Sequence, residues 1–203
     1  MPKINIEQFL ITLAVVLPSL TVHEFAHAWT AYKFGDDTAK RMGRLTLNPI
    51  AHIDLFGTII LPLIAHFGYA KPVPVNFSIL TRGQMLLVAI AGPLSNLSLA
   101  IVLAIAFHVL PLNGIPLAQY FLLVAVFLNI VFAVFNLIPI PPLDGSRIIY
   151  ASLKSEQAVN MYKYFSGFGM IAFILLLVFG GFSIIILPVA DLFFKLFRLP
   201  LLF

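Results

Sequence analysis

The residues of this chain best suited to do chemistry are His23, Glu24 and His27, set in the run His23-Glu24-Phe25-Ala26-His27. On a helix, positions i and i+4 lie on one face. Both imidazoles can therefore hold a single zinc ion, with Glu24 beside them to take a proton from the water that zinc activates. The plainer reading is a polar cluster at a helix end near a membrane interface. The surroundings favour the metal. The chain has five histidines and eight carboxylates in all, and Glu24 sits late in an apolar run over residues 6–34. An ionisable residue inside such a run is costly and marks a functional site.

Two histidines do not complete a catalytic zinc site, which takes three protein ligands and keeps one open position. Asp144 is the best candidate for the third. It follows Ile138-Pro139-Ile140-Pro141-Pro142-Leu143, where three prolines in four residues rule out a helix. That break lies between two strongly apolar stretches. Irregular backbone at membrane depth is tolerated only where protein buries it or it lines a wet cavity. Asp144 would also serve as a helix N-cap ahead of Gly145-Ser146-Arg147. His52 and Asp54 lie in a loop, either near the metal or simply solvated, with solvation preferred; His66 and His108 read as structural. Asn136, just before the proline break, is a candidate donor to a substrate backbone or oxyanion. Asn96 reads as an amide that stitches helices together.

The elements that must position these groups follow from composition. Of 203 residues, 61% are hydrophobic and only 10% charged, and the mean hydropathy is +1.05. Soluble domains carry about 45–50% apolar and about 25% charged residues. A soluble enzyme, a coiled coil and a disordered chain are excluded, leaving a single membrane-embedded domain over residues 1–203. With no cysteine, disulfides, Cys-ligated zinc and a thiol nucleophile are excluded too. The net charge is +4 without any basic run, so the excess reads as topology information and no nucleic-acid partner is expected.

A span needs about 20 apolar residues. Apolar runs fall at residues 6–34, 82–110, 117–138 and 165–187, the last with an apolar tail to 203; a shorter run at 55–69 carries Pro62. A secretory signal peptide is the alternative for the first run, but Glu7 cancels Lys3, and Pro18, two histidines and a glutamate do not suit its apolar region. The expected fold is an all-α polytopic membrane protein of about 4–6 transmembrane helices. It should add a re-entrant segment at 55–69 and a small β-like element at the cytoplasmic face. The alternating residues 44–47 and the proline-rich 71–77 are the two candidate strands.

The motifs HEFAH, AGPLSN and NLIPIPPLDG together resemble the site-2 protease family of intramembrane zinc metalloproteases. The runs GRLTLNPIAHID and AKPVPVN are similar to those of its compact bacterial subgroup, which lacks the regulatory domains of larger members. The resemblance spans about residues 23–147. It implies one Zn2+ per chain held by His23, His27 and Asp144, with Glu24 as general base. It matches Asn136 to the family's asparagine ahead of the proline–Asp motif. The substrate it implies is a membrane protein or peptide, cut in or near a transmembrane segment. Ser146 stands where many relatives have a second glycine.

Rival classes are weighed on the same residues. The G-x-S-G element of a rhomboid-type serine protease and the G-x-G-D element of an aspartyl intramembrane protease are both absent. A zinc transporter would also place His and Asp in spans, but needs no Glu beside the first His. An inactive, chaperone-like homologue that kept its metal site is the other alternative. Parity then constrains topology. If Asp144 shares a zinc with His23 and His27, the chain between them crosses an even number of times. Residues 82–110 and 117–138 make two crossings, so 55–69 must dip without crossing. Lys33, Lys40, Arg41, Arg44, Lys71, Arg82 and Arg147 then share one face, whereas residues 110–116 hold no Lys or Arg. The positive-inside rule places the zinc site towards the cytoplasm of a multi-pass cell-membrane protein. The sequence leaves open whether 165–203 crosses once or twice.

Overall fold

The computed structural model describes residues 6–53 and 71–200. Among the described residues, three helices are long and apolar enough to cross a membrane: α1 (Ile6–Lys33), α3 (Arg82–Val109) and α4 (Pro116–Asn136). Their ends are set by local chemistry. Thr81 caps α3 and forms a reciprocal capping box with Gln84, which satisfies two otherwise orphaned N–H groups. Pro116 opens α4 at a position that needs no N–H. Shorter helices follow: α2 (Thr38–Arg41), α5 (Asp144–Ser152), α6 (Glu156–Ser166), α7 (Gly169–Val178) and α8 (Leu187–Leu196), with a π-helical stretch at Phe182–Ile186.

α3 is the central element and packs against α1, α4 and α5. Ala100 and Ala104 on α3 are fully buried against Leu123, Val126 and Ile130 of α4 and Phe193 and Phe194 of α8. Small residues at such crossings let helices approach closely where no water drives them together. The outward side is the reverse: Leu87, Leu94, Val102 and Ile105 of α3 are all more than half exposed. A row of large exposed aliphatic residues on one helix is the surface that lipid covers.

Residues 169–196 run alongside α4 once, end to end. Gly169 abuts Pro141, Phe173 packs on Phe135, and Phe194 packs on Phe127. Beyond α8, the Phe197 carbonyl bonds Nε2 of His108 at the last turn of α3. Gly180, between α7 and the π-helical stretch, has φ +76.

The expected β-like element is not formed: among the described residues there is no strand. Residues 71–76 form neither helix nor strand; Pro72 and Pro74 bias the residues before them to extended backbone but have no N–H to offer a ladder. Three of the four remaining donors go to other groups. Lys71 N–H goes to the His52 carbonyl, Val73 N–H to Glu24 Oε2, and Asn76 N–H to Asp36 Oδ2. Arg44 Nη1 donates to the Lys71 carbonyl at 3.1 Å and so ties the two candidate strands together. The re-entrant segment expected at 55–69, with His66 and Asp54, lies outside the described residues.

Candidate metal centre

α1 carries His23 and His27 one turn apart, both buried. α5 brings Asp144 to them across 121 and 117 positions of sequence. Asp144 Oδ2 is 3.1 Å from His23 Nε2 and 3.0 Å from His27 Nε2, and the two Nε2 atoms are 3.1 Å apart. Ligands about 2.0–2.1 Å from a tetrahedral zinc stand about 3.3 Å from one another. The triangle is therefore of the right size, and these three form the one potential metal-holding group of His, Asp and Glu among the described residues.

The outer partners decide which atoms face inwards. His27 Nδ1 is 2.7 Å from the Val88 carbonyl, which can only accept, so Nδ1 carries the proton and Nε2 a lone pair. His23 Nδ1 is 2.6 Å from Asn96 Oδ1. That amide is oriented by its other end, since Nδ2 donates to the Ser19 carbonyl at 3.2 Å. His23 thus also presents a bare Nε2. With both histidines neutral, two imidazole lone pairs and a carboxylate oxygen converge on one point, an arrangement that a bound cation satisfies. The donor set of two neutral histidines and one carboxylate suits zinc, and the outer hydrogen bonds are those that fix ligand tautomers.

Space for the ion comes from Gly92 on α3. A methyl group there would overlap Nε2 of both histidines. Gly145, next to Asp144, is equally constrained: a methyl would strike the Leu137 and Ile138 carbonyls. Ser146 meets no such wall. Its hydroxyl donates to the Leu143 carbonyl, and its carbonyl accepts from Tyr162. Asp144 is the first residue of α5, with Leu143 at the cap position, and Arg147 reaches its outer oxygen, Oδ1, at 3.3 Å.

The remaining candidates are placed as follows. Glu24 is half-buried and its Oε2 accepts from Val73 N–H at 2.7 Å. Asn136 ends α4, half-buried, and donates to the Phe132 carbonyl at 3.0 Å. His52 is not solvated, as expected from its loop. It is buried, and its Nε2 donates to the Thr46 carbonyl at 2.9 Å; it stands outside the metal-holding group. Asp36, which sequence reading passed over, ties the segment beside Glu24 to the end of α1 through Asn76 and Thr38. Burial alone would raise its pKa. The hydrogen bonds from Thr38 and Asn76, with the Arg41 charge, outweigh that and hold it below the usual carboxylate value. Asn129 was also missed, although an asparagine in the middle of the most apolar helix was the signal.

The profile of peptidase family M50 matches residues 9–116 and 112–179. The chain belongs to that family. "Putative zinc metalloprotease YwhC" of Bacillus subtilis is 46% identical over 178 residues, 83% of this chain and 78% of that protein. "Putative zinc metalloprotease Rip2" of Mycobacterium tuberculosis is 37% identical over 155 residues, covering 73% of this chain and 59% of Rip2. "Zinc metalloprotease MJ0392" of Methanocaldococcus jannaschii is 29% identical over 179 residues, 86% of this chain and 44% of its own length. No solved structure matches the chain. The resemblance to site-2 proteases drawn from the motifs is thus the family's own, and membership of M50 makes the chain a zinc metalloprotease.

Proposed function

We propose that this M50 protein cuts peptide bonds within or beside transmembrane segments of other membrane proteins. In this reading His23, His27 and Asp144 hold one Zn2+, Glu24 is the general base, and Asn136 donates to the substrate backbone. The observation that carries it is the convergence of two imidazole Nε2 atoms and a carboxylate oxygen, 3.0–3.1 Å apart, one helical position from Glu24. When bound, zinc lowers the pKa of a water and polarises the scissile carbonyl. The protein's residues do the rest. The backbone N–H of Val73 holds Glu24 Oε2, which leaves Oε1 to take the proton of the attacking water and return it to the leaving amine. A transmembrane substrate hides its carbonyls in helical hydrogen bonds, so it must unwind locally before it is cut. The extended, donor-poor residues 71–76 lie beside Glu24, where an unwound segment would pass.

The membrane reading rests on the same contacts. His27, near the end of α1, bonds Val88, near the start of α3, and Asp144 follows the end of α4. All three helices thus bring one face of the membrane to the metal. The connection from α1 to α3 starts and ends on that face. Residues 169–196 form a fourth, broken crossing, and the Lys- and Arg-rich face is cytoplasmic. With the chain free of native cysteine, single cysteines at Lys40 and Lys71 should label together from the cytoplasmic side; labelling from opposite sides overturns this topology.

The test of the reaction uses purified protein in detergent, loaded with zinc and given a membrane substrate whose helix is weakened by Gly or Pro. The parent should cleave it. Glu24→Gln should bind zinc like the parent and cut nothing. Undiminished cleavage by Glu24→Gln removes the general-base assignment.

A further inference from the structure

Asn129 sits in the middle of α4, the most apolar of the long helices, and is fully buried. An amide there is costly unless every polar atom is bonded. Its Nδ2 donates to the Ala125 carbonyl at 2.8 Å and to Ser19 Oγ at 2.9 Å. Its Oδ1 accepts from Asn96 Nδ2 at 2.8 Å. Asn96 in turn presents its oxygen to His23 Nδ1 at 2.6 Å. Three helices thus meet in a chain of amides that ends on one imidazole. Its direction is fixed at the far end, because the Ala125 carbonyl can only accept, so Asn129 must turn its nitrogen there and its oxygen to Asn96.

We propose that Asn129 is a positioning residue for the metal centre, setting the tautomer of His23 through Asn96. The inference rests on the reading of His23 as a zinc ligand. Without the Asn129 oxygen, Asn96 keeps one partner for its nitrogen, the Ser19 carbonyl at a longer 3.2 Å. Its amide is then freer to turn and offer nitrogen to His23 Nδ1. That orientation selects the Nε2–H tautomer, which has no lone pair to give a metal. Helix stitching alone needs the Asn96–Asn129 pair somewhere along the α3–α4 contact. It does not need the pair to end on an imidazole through the shortest hydrogen bond of the set.

Asn129→Leu keeps the branched shape and the number of heavy atoms and removes the hydrogen bonds. Loss of an outer partner of a metal ligand typically costs 10–100-fold in affinity, and for this more remote residue the expected loss is about tenfold. Zinc affinity is read by chelator competition. The tautomer is read from the imidazole 15N shifts of the zinc-free protein: the parent should show His23 as Nδ1–H, and Asn129→Leu a mixture. A purely structural Asn129 would lower the melting temperature and leave both readouts of the folded protein unchanged, which overturns the proposal. An Nε2–H His23 in the zinc-free parent overturns it as well. Should Asn129→Leu not fold, Ser19→Ala takes its place; a smaller loss of affinity in the same direction supports the proposal and parent affinity overturns it. His23→Ala separates the two levels. Zinc retained there at parent affinity defeats the site itself; zinc lost there but kept by Asn129→Leu defeats only the positioning role.

Discussion

Replacing Gly92 by alanine tests the metal centre without touching a ligand. A Cβ built on Gly92 lies 2.6 Å from His23 Nε2 and closer still to His27 Nε2. Ordinary contact begins near 3.4 Å, so relief requires a displacement of about 0.8 Å by the His23 ring and more by the nearer His27 ring, or a matching shift of α3. Metal–ligand distances tolerate about 0.2 Å. The displacement exceeds that several-fold, and the two Nε2 atoms can no longer both reach an ion that Asp144 also holds. The helix itself points the other way. Alanine is favoured over glycine in a helix interior by about 1 kcal/mol, so α3 has no local reason to unwind. Zinc content by elemental analysis should fall well below one per chain, with cleavage lost, while the zinc-free variant melts close to the zinc-free parent. Gly83→Ala in the first turn of the same helix is the control, because a methyl there meets nothing within 4 Å. It should leave zinc and activity at parent levels. Gly92→Ala that binds zinc stoichiometrically at parent affinity would refute the reasoning, since the ion could not then lie where these three donors meet.

Four further outcomes follow from named contacts. His23→Ala, His27→Ala and Asp144→Ala should each lose most bound zinc on elemental analysis, whereas His52→Ala should keep it and show only faster proteolysis at residues 44–53. Arg147→Ala should weaken zinc by less than loss of Asp144 itself; Arg147 touches only the outer oxygen and is solvent-screened, so an affinity as low as that of Asp144→Ala would mean the arginine has a larger part. Because the pKa of Asp36 is lowered by folding, its stabilisation is fully present above the ordinary carboxylate value and is lost as pH falls through the lower folded value; Asp36→Asn should flatten that acid limb in thermal unfolding. Asp36→Ala at neutral pH should also release Asn76 and be read as faster hydrogen exchange across residues 73–77.

Much of the centre was legible because its chemistry is local. His23, Glu24 and His27 lie within one helical turn, so spacing alone puts both imidazoles on a face. Asp144 was legible for a different reason. A carboxylate behind a proline break in apolar surroundings needs a partner, and the chain has few to offer. What could not be read was the orientation of each ring. That depends on Val88, Asn96 and Asn129, which come from two other helices and meet the histidines only after packing. Gly92 is visible in the sequence only as a glycine in AGPLSN, because no local pattern distinguishes a glycine that admits a neighbouring helix from one that leaves room between two imidazoles.

The segment at 71–77 separates two readings. Its prolines suit an edge strand or an extended segment rather than a helix, and residues 71–76 form neither helix nor strand. A strand, however, is defined by where its donors go. Here the N–H groups of Val73 and Asn76 end on Glu24 and Asp36, two carboxylates held by α1 and the turn that follows it. The same prolines that suggest a strand leave the segment with too few N–H groups to pair as one, and two of those few fix it to Glu24 and Asp36. Its extension therefore comes from proline and from two carboxylate anchors, and its carbonyls face no ladder of their own. An unwound substrate beside it would find mainly acceptors, so the peptide must present N–H groups to it. Segments rich in proline at that register should be poor substrates, and a scan of single prolines through a cleaved transmembrane peptide, read by cleavage rate, would show whether the loss clusters at alternate positions as this geometry requires.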